Sequence, residues 1–464
     1  MHIRLSAALA AVLVAGCAST APARSDAPPA ANARFTDDPY PSTYRAIASP
    51  PVLISGATVL TGSGERLENA DVLLVDGKVS AIGSGVQAPA GAVRVDARGK
   101  WVTPGLIDVH SHLGVYPSPG MNAHSDGNEA TAPVTANVWA EHSVWPQDPG
   151  FQAALAGGVT SLQVLPGSAN LVGGRGVTLK NVPATTYQAM KFPGAPWGLK
   201  MACGENPKRV YGQKGGPATR MANVAGYRAA FIEAAEYRGK RAAAGGGKDA
   251  GRRDLKLDTL AAAMDGDIKV HIHCYRADEM ATMLDLAKEF GFKVAAFHHA
   301  VEAYKLADRL AAEGTCGALW ADWWGFKMEA FDGIQENIAL VDRPQGGCAI
   351  VHSDSAEGIQ RLNQEAAKVM AHAKAIGIEI PPERAIRWIT QNPAKSMGID
   401  AMTGTLAPGR MGDVVVWNRD PFSVYAHAEQ VYVDGARVFD RADATRQPVS
   451  DFILGQGQPQ GGVR

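Results

Sequence analysis

Two histidines separated by a single residue, His110 and His112, close the segment Thr103-Pro-Gly-Leu-Ile-Asp-Val-His110-Ser-His112. In an extended strand, residues i and i+2 project to the same face. Both imidazoles would therefore point together, as two ligands of one metal ion must. A pair of structural histidines is the alternative, and the spacing by itself does not separate the two. Order adds context, because an apolar strand comes first and the His-x-His lies at its end. The cysteines Cys203, Cys274, Cys316 and Cys348 show no CxxC spacing, so neither a zinc knuckle nor a redox pair is visible. Each sits in or beside an apolar run, which predicts buried free thiols and no structural disulfide.

The elements that must position such a pair can be read around it. The chain has 464 residues, 46% hydrophobic, with 45 basic side chains against 46 acidic ones. A net charge of −1 removes the bulk attraction on which a nucleic-acid binder depends. Residues 51–100 alternate β-rich runs with turns, and Asp76-Gly77 marks a hairpin. The same texture returns in GDVVVWN (412–418) and QVYVDGARVF (430–439), around Asp434-Gly435. Two such segments bracketing a long middle predict one small β-sandwich domain built from residues 46–100 and 402–450. Residues 101–401 alternate apolar strands with helical patterns such as Ala277–Phe290 and Glu302–Glu313. That alternation predicts an α/β fold, a (β/α)8 barrel of the TIM type. A doubly wound sheet is the alternative, but no GxGxxG opens the first unit. The basic, Gly-Ala-rich stretch 238–253 reads as a solvated loop.

PGLIDVHSH (104–112) resembles the first-strand signature of the amidohydrolase superfamily, metal-dependent hydrolases on a (β/α)8 barrel. TQNPAKSMGI (390–399) and GTLAPGRMGDVVVWN (404–418) are similar to the segments where such chains leave the barrel for their β domain. The resemblance implies one or two divalent ions, most simply zinc, with manganese, iron or nickel also suited to the ligands. It implies His110 and His112 as ligands, with His271 from VHIHCY and His273 beside it as a substrate contact. From FHHA it implies His299, with His298 in place of the usual acid. Asp354, in VHSDS beside His352, matches the catalytic aspartate. A bridging ligand would be Glu205, which follows its strand, or a carboxylated Lys200 within it; Glu205 is favoured.

The implied chemistry is hydrolysis of an amide or lactam C–N bond in a dipeptide, N-acyl amino acid or cyclic amide. Asp354 would move the proton and His273 would steady the oxyanion. Ring deamination would need a glutamate three residues after the fifth-strand histidine, where Cys274 or Arg276 stands. A non-catalytic ligand-binding lipoprotein is a further alternative. The run 319–327, LWADWWGFK with Trp320 and Trp324, follows the seventh strand and would sit at the barrel mouth, where it suits an aromatic or apolar side chain. The Gly-rich run 167–176 would approach substrate through its backbone, with Arg175 gripping a carboxylate. The expected partner is thus a small molecule, while assembly into a homo-oligomer stays open.

The first residues carry an address. Arg4 precedes an apolar run, Leu5–Ala15, shorter than the roughly 20 residues of a spanning helix. It ends Leu-Val-Ala-Gly-Cys17, which resembles the lipobox of bacterial lipoproteins. That resemblance implies removal of residues 1–16, lipidation of Cys17 and, with Ala18 next, the periplasmic face of the outer membrane. Ordinary signal cleavage is the alternative. Residues 17–45, opening with an Ala-Pro-Ser stretch, read as a flexible tether. Cys17→Ser should release the protein from membranes on fractionation, and persistent membrane association would overturn the lipobox reading.

Overall fold

The computed structural model describes residues 35–245, 251–323 and 325–446. Eight strands form a nearly closed barrel sheet in sequential order: β1 (Leu106–Ser111), β2 (Val159–Val164), β3 (Val172–Lys180), β4 (Gly198–Ala202), β5 (Lys269–Cys274), β6 (Val294–His299), β7 (Cys316–Leu319) and β8 (Ala349–Val351). Adjacent pairs from β4 to β8, and β1 with β2, are parallel. β3 runs antiparallel to both its neighbours. The barrel is thus TIM-like with one reversed strand, where a regular (β/α)8 alternation was expected.

β3 takes in residues 172–176 of the run 167–176 that was expected to approach substrate. Its glycines serve close packing instead. A Cβ on Gly174 would lie 2.4 Å from Val138 O, and one on Gly176 would lie 2.5 Å from a Leu165 methyl. Every residue of VGGRGVTLK is buried. A helix, Arg220–Ala243, likewise replaces the first part of the expected loop at 238–253; residues 246–250 lie outside the described set.

Both chain ends contribute to a second sheet of eight strands, drawn from residues 52–104 and 414–440. Hydrogen bonds join them as one continuous sheet, whereas the sequence reading expects a sandwich. Asp76-Gly77 and Asp434-Gly435 both turn with positive φ, as two-residue hairpins require. The two turns meet, and a Cβ on Gly435 would stand 3.3 Å from Gly77 Cα. Residues 35–45, expected to be tether, lie against the barrel: Phe35 is buried, Asp38 pairs with Lys191 and Tyr44 donates to Asp434.

Two disulfides correct the expectation of free thiols. Cys203 bonds Cys274 beside the C-terminal ends of β4 and β5, and Cys316 bonds Cys348 near the start of β7 and β8. The Cα atoms stand 5.2 and 4.6 Å apart, so adjacent strands bring them within bonding reach. Sequence spacing alone does not reveal such register.

A buried ion triad ties the barrel to the outer sheet. Lys180, at the end of β3, lies 2.8 Å from Asp434 Oδ1 and 3.4 Å from Asp413 Oδ1. Thr403 and the Asp434 amide also donate to Asp413. Replacing Lys180 by methionine would leave two buried carboxylates without their cation. Denaturant titration of Lys180→Met should show a loss of about 3–5 kcal/mol, and a loss below about 1 kcal/mol would contradict this role.

Candidate active site

The C-terminal ends of the barrel strands deliver the polar groups singled out in the sequence. β1 carries His110 next to its last residue, with His112 just beyond it; β4 carries Lys200; β5 carries His271 and His273; β6 ends in His298 and His299. His352, Ser353 and Asp354 follow β8. His299, Ala300 and Asp354 all have positive φ, at 68°, 35° and 52°. Such conformations cost non-glycine residues energy and persist where surrounding contacts fix them.

Those contacts are visible at the seam between β8 and β1. Ser353 Oγ donates to Asp108 Oδ2, and the amides of Ser353 and His110 donate to Oδ1, each at 3.2 Å. The Asp354 amide donates to His110 O at 3.0 Å. Burial pushes the Asp108 carboxyl up to about 7, against the pull of these donors. Asp108 is a positioning residue that sequence reasoning missed. The signal was present, an acid two residues before His110 inside an apolar strand.

Asp354 is thereby aimed at the histidine pair. Its Oδ1 lies 3.1 Å from His112 Nε2 and 3.4 Å from His110 Nε2, and its Oδ2 lies 3.9 Å from His299 Nδ1. The two Nε2 atoms of His110 and His112 stand 3.3 Å apart. Two nitrogens bound to one tetrahedral ion at about 2.0–2.1 Å stand about 3.4 Å apart, so this pair has the spacing of shared ligands. Ligand atoms of His110, His299 and Asp354 all lie within 4.8 Å of one another. The nitrogen and carboxylate donors suit a divalent cation, so the residues present fit a metal centre.

Burial pushes His110, His273 and His299 well below the usual imidazole range, with Lys200 adding to the effect. Neutral rings are the form that can bind a metal. Burial alone would raise the Asp354 carboxyl, but the His112 hydrogen bond and neighbouring charges hold it below its usual value.

The two bridging candidates separate clearly. Lys200 Nζ is buried 3.3 Å from His110 Nε2 and 2.9 Å from Pro166 O. Burial lowers it to about 8. Glu205, the favoured candidate, instead opens a helix (Glu205–Tyr211) and pairs with Lys327 at 3.2 Å. It lines the cavity but stands in neither of the His/Asp clusters. Lys200, on β4, thus stands beside His110, whereas Glu205, at the start of the helix, stands beside Lys327.

β5 sets its two histidines at different depths. His273 lines the cavity, 3.3 Å from Asn206 Nδ2, with its ring 4.5 Å from that of His299. His271, expected as the ligand, lies deeper and contacts His298 instead. Both face inward, but each two-residue step along a strand changes depth, and only the upper one lines the cavity.

Arg175 does not line the cavity. It is fully buried, bonded to Thr259 and Phe35 O, and lies over the rings of Trp139 and Trp197 at 4.4 and 4.9 Å. Trp320 does line the cavity and stacks on His299 at 4.2 Å; Trp324 lies outside the described residues. The cavity holds about 650 Å³. Trp323, Phe326 and Tyr275 continue its aromatic wall, while Arg209 and Lys327 supply cations. Lys327 is engaged by Glu205, but Arg209 has no ion pair among the described residues. Trp323, Phe326 and Lys327 fall in the run 319–327 expected at the barrel mouth, whereas Arg209 and Tyr275 were missed, because nothing in the local sequence brings the helix after β4 or the turn after β5 to the rim.

Comparisons with known proteins agree with this geometry. The amidohydrolase family's sequence profile matches residues 349–439. A crystal structure of an amidohydrolase from Thermotoga maritima MSB8 is similar with a TM-score of 0.78 and 35% identity, covering 84% of this chain and 100% of that one. Amidohydrolase tasK of Hapsidospora irregularis is 33% identical over 430 residues, 84% of this chain and 43% of that protein. A dihydroorotase of Citrifermentans bemidjiense is 34% identical over 126 residues, 27% of this chain and 24% of that enzyme. The chain thus spans less than half the length of these curated relatives.

Lys200→Ala should strongly reduce bound divalent metal in elemental analysis, whereas Glu205→Gln should leave it near the wild-type value. The reverse pattern would return the bridging role to Glu205.

Proposed function

The chain belongs to the amidohydrolase superfamily, and from that premise we propose that it hydrolyses a C–N amide bond in a small substrate carrying an apolar side chain and a carboxylate. Dipeptides and N-acyl amino acids have this chemistry. The observation that carries the reading is the aim of Asp354, with Oδ1 3.1 Å from His112 and 3.4 Å from His110 at the floor of the cavity.

His110, His112, Lys200 in carboxylated form, His273, His299 and Asp354 would hold one or two divalent ions. When bound, such an ion supplies Lewis acidity and eases loss of a proton from water near neutral pH. Asp354 accepts that proton and returns it to the leaving nitrogen. Asn206 steadies the His273 ring, and Tyr275 closes the wall beside it. Trp320, Trp323 and Phe326 exclude water around the apolar side chain. Arg209 meets the carboxylate in the role first given to Arg175. Deamination lacks its acid, since Cys274 is held in a disulfide.

Export to an oxidising compartment is part of the same proposal, and the two disulfides support it. The signal and Cys17 lie outside the described residues.

The test is metal analysis combined with a screen of dipeptides and N-acyl amino acids. Asp354→Asn should retain most of its metal yet lose roughly 10²–10⁴-fold in kcat. Arg209→Ala should raise KM about tenfold or more for acids while sparing their amidated analogues. A wild-type protein that takes up neither zinc nor manganese and turns over no amide would refute the reading.

A further inference from the structure

Behind the cavity, three imidazoles run in single file from His110 into the barrel interior. His110 Nδ1 stands 2.9 Å from His298 Nδ1, and His298 Nε2 stands 2.9 Å from His271 Nδ1. All three rings are fully buried. The file ends at His271 Nε2, which has no hydrogen-bond partner among the described residues. Gln163 of β2, unpartnered at both side-chain polar atoms, reaches the same place. A Cβ on Gly198 would stand 3.0 Å from Gln163 Nε2 and 3.2 Å from His271 Cδ2, so this glycine keeps the end of the file open.

A neutral imidazole has one N–H and one bare nitrogen, so each contact in the file needs a donor facing an acceptor. His110 Nε2 faces His112, Lys200 and Asp354. A lone pair on that atom puts the proton on Nδ1. His298 Nδ1 must then accept, its Nε2 must donate, and His271 Nδ1 must accept in turn. One choice at His110 therefore fixes the sense of every bond behind it. A ligand histidine usually gives its second N–H to a carboxylate, a carbonyl or water. Here an imidazole accepts it and adds no charge to a buried site that already holds Asp108 and Asp354.

We propose that His298 and His271 are positioning residues, an imidazole file that locks His110 in its Nδ1–H tautomer and aims the Nε2 lone pair into the metal centre. The inference rests on the reading of His110 as a ligand. A competing assignment makes His298 a ligand itself, since ligand atoms of His110, His298 and His352 also lie within 4.8 Å of one another. Geometry favours the file. Both nitrogens of His298 stand 2.9 Å from other imidazole nitrogens, a hydrogen-bond distance shorter than the spacing of about 3.4 Å between two ligands of one tetrahedral ion.

The experiment measures zinc affinity by chelator competition on the full chain, with stoichiometry from elemental analysis and folding checked by thermal melts. His298→Leu should weaken zinc binding about 10–100-fold. His298→Gln should recover most of it, because an amide can accept from His110 and donate to His271. His271→Leu should weaken binding in the wild-type background and have no further effect in His298→Leu. Nitrogen-15 shifts should show His110 protonated at Nδ1 in the zinc-loaded protein. Unchanged affinity in His298→Leu, additive effects of the two leucine variants, or loss of one whole zinc equivalent on His298→Gln would each overturn the file. Zinc binding without any amide turnover would sink the hydrolase reading while the affinity series still decides the file. A wild type that binds no zinc would sink both.

Discussion

A buried carboxylate between the first and last barrel strands sets the geometry on which the site depends. No backbone ladder joins β8 to β1 among the described residues, so the seam relies on Asp108 and on the amide of Asp354. Burying a carboxylate is unfavourable without donors, and Asp108 receives three. Those bonds hold the turn after β8 in a left-handed conformation at Asp354. The same bonds place the Asp354 side chain against His110 and His112. Closure of the fold and assembly of the chemistry are one event.

Around that seam the protein concentrates polar groups at the upper end of an otherwise apolar barrel. Ile107, Val109, Ala296, Ala318 and Ile350 of its strands share one apolar core cluster. Toward the strands' C-terminal ends stand six buried histidines and Lys200. Burial keeps the rings neutral, and neutral rings can both bind cations and bond to each other in a defined sense. Cys203–Cys274 links the strands that bear Lys200 and His273, and the Lys180 triad anchors β3 to the outer sheet. The site is thus held on strands braced from the side and from below, as precise positioning requires.

The rim is built differently. Trp323, Phe326 and Lys327 come from the loop after β7, and Arg209 from the short helix after β4. Glu329 on that loop pairs with Arg220, and burial raises its carboxyl above the usual range. Loops supply the contacts that would choose a substrate, and strands supply those that would do chemistry. This division matches the general behaviour of barrel enzymes.

Much of this was legible in the chain. Strict two-residue spacing put His110 and His112 on one face, and Asp-Gly pairs marked both hairpins, because these features depend on local backbone geometry alone. The other strand-ending histidines and Asp354 were identified through the resemblance to the family's strand-end motifs. What the sequence could not settle was depth and direction. His271 and His273 share a face, and only the register of β5 beside β4 and β6 makes the upper one line the cavity. The glycines around Arg175 signal close approach, but whether to substrate or to a neighbouring strand depends on what packs above them. Lys200 lies beside His110 while Glu205 lies beside Lys327, and four cysteines pair, because those distances exist only once strands far apart in sequence lie side by side. Local periodicity determined which groups could act; the packing of distant strands decided which of them meet.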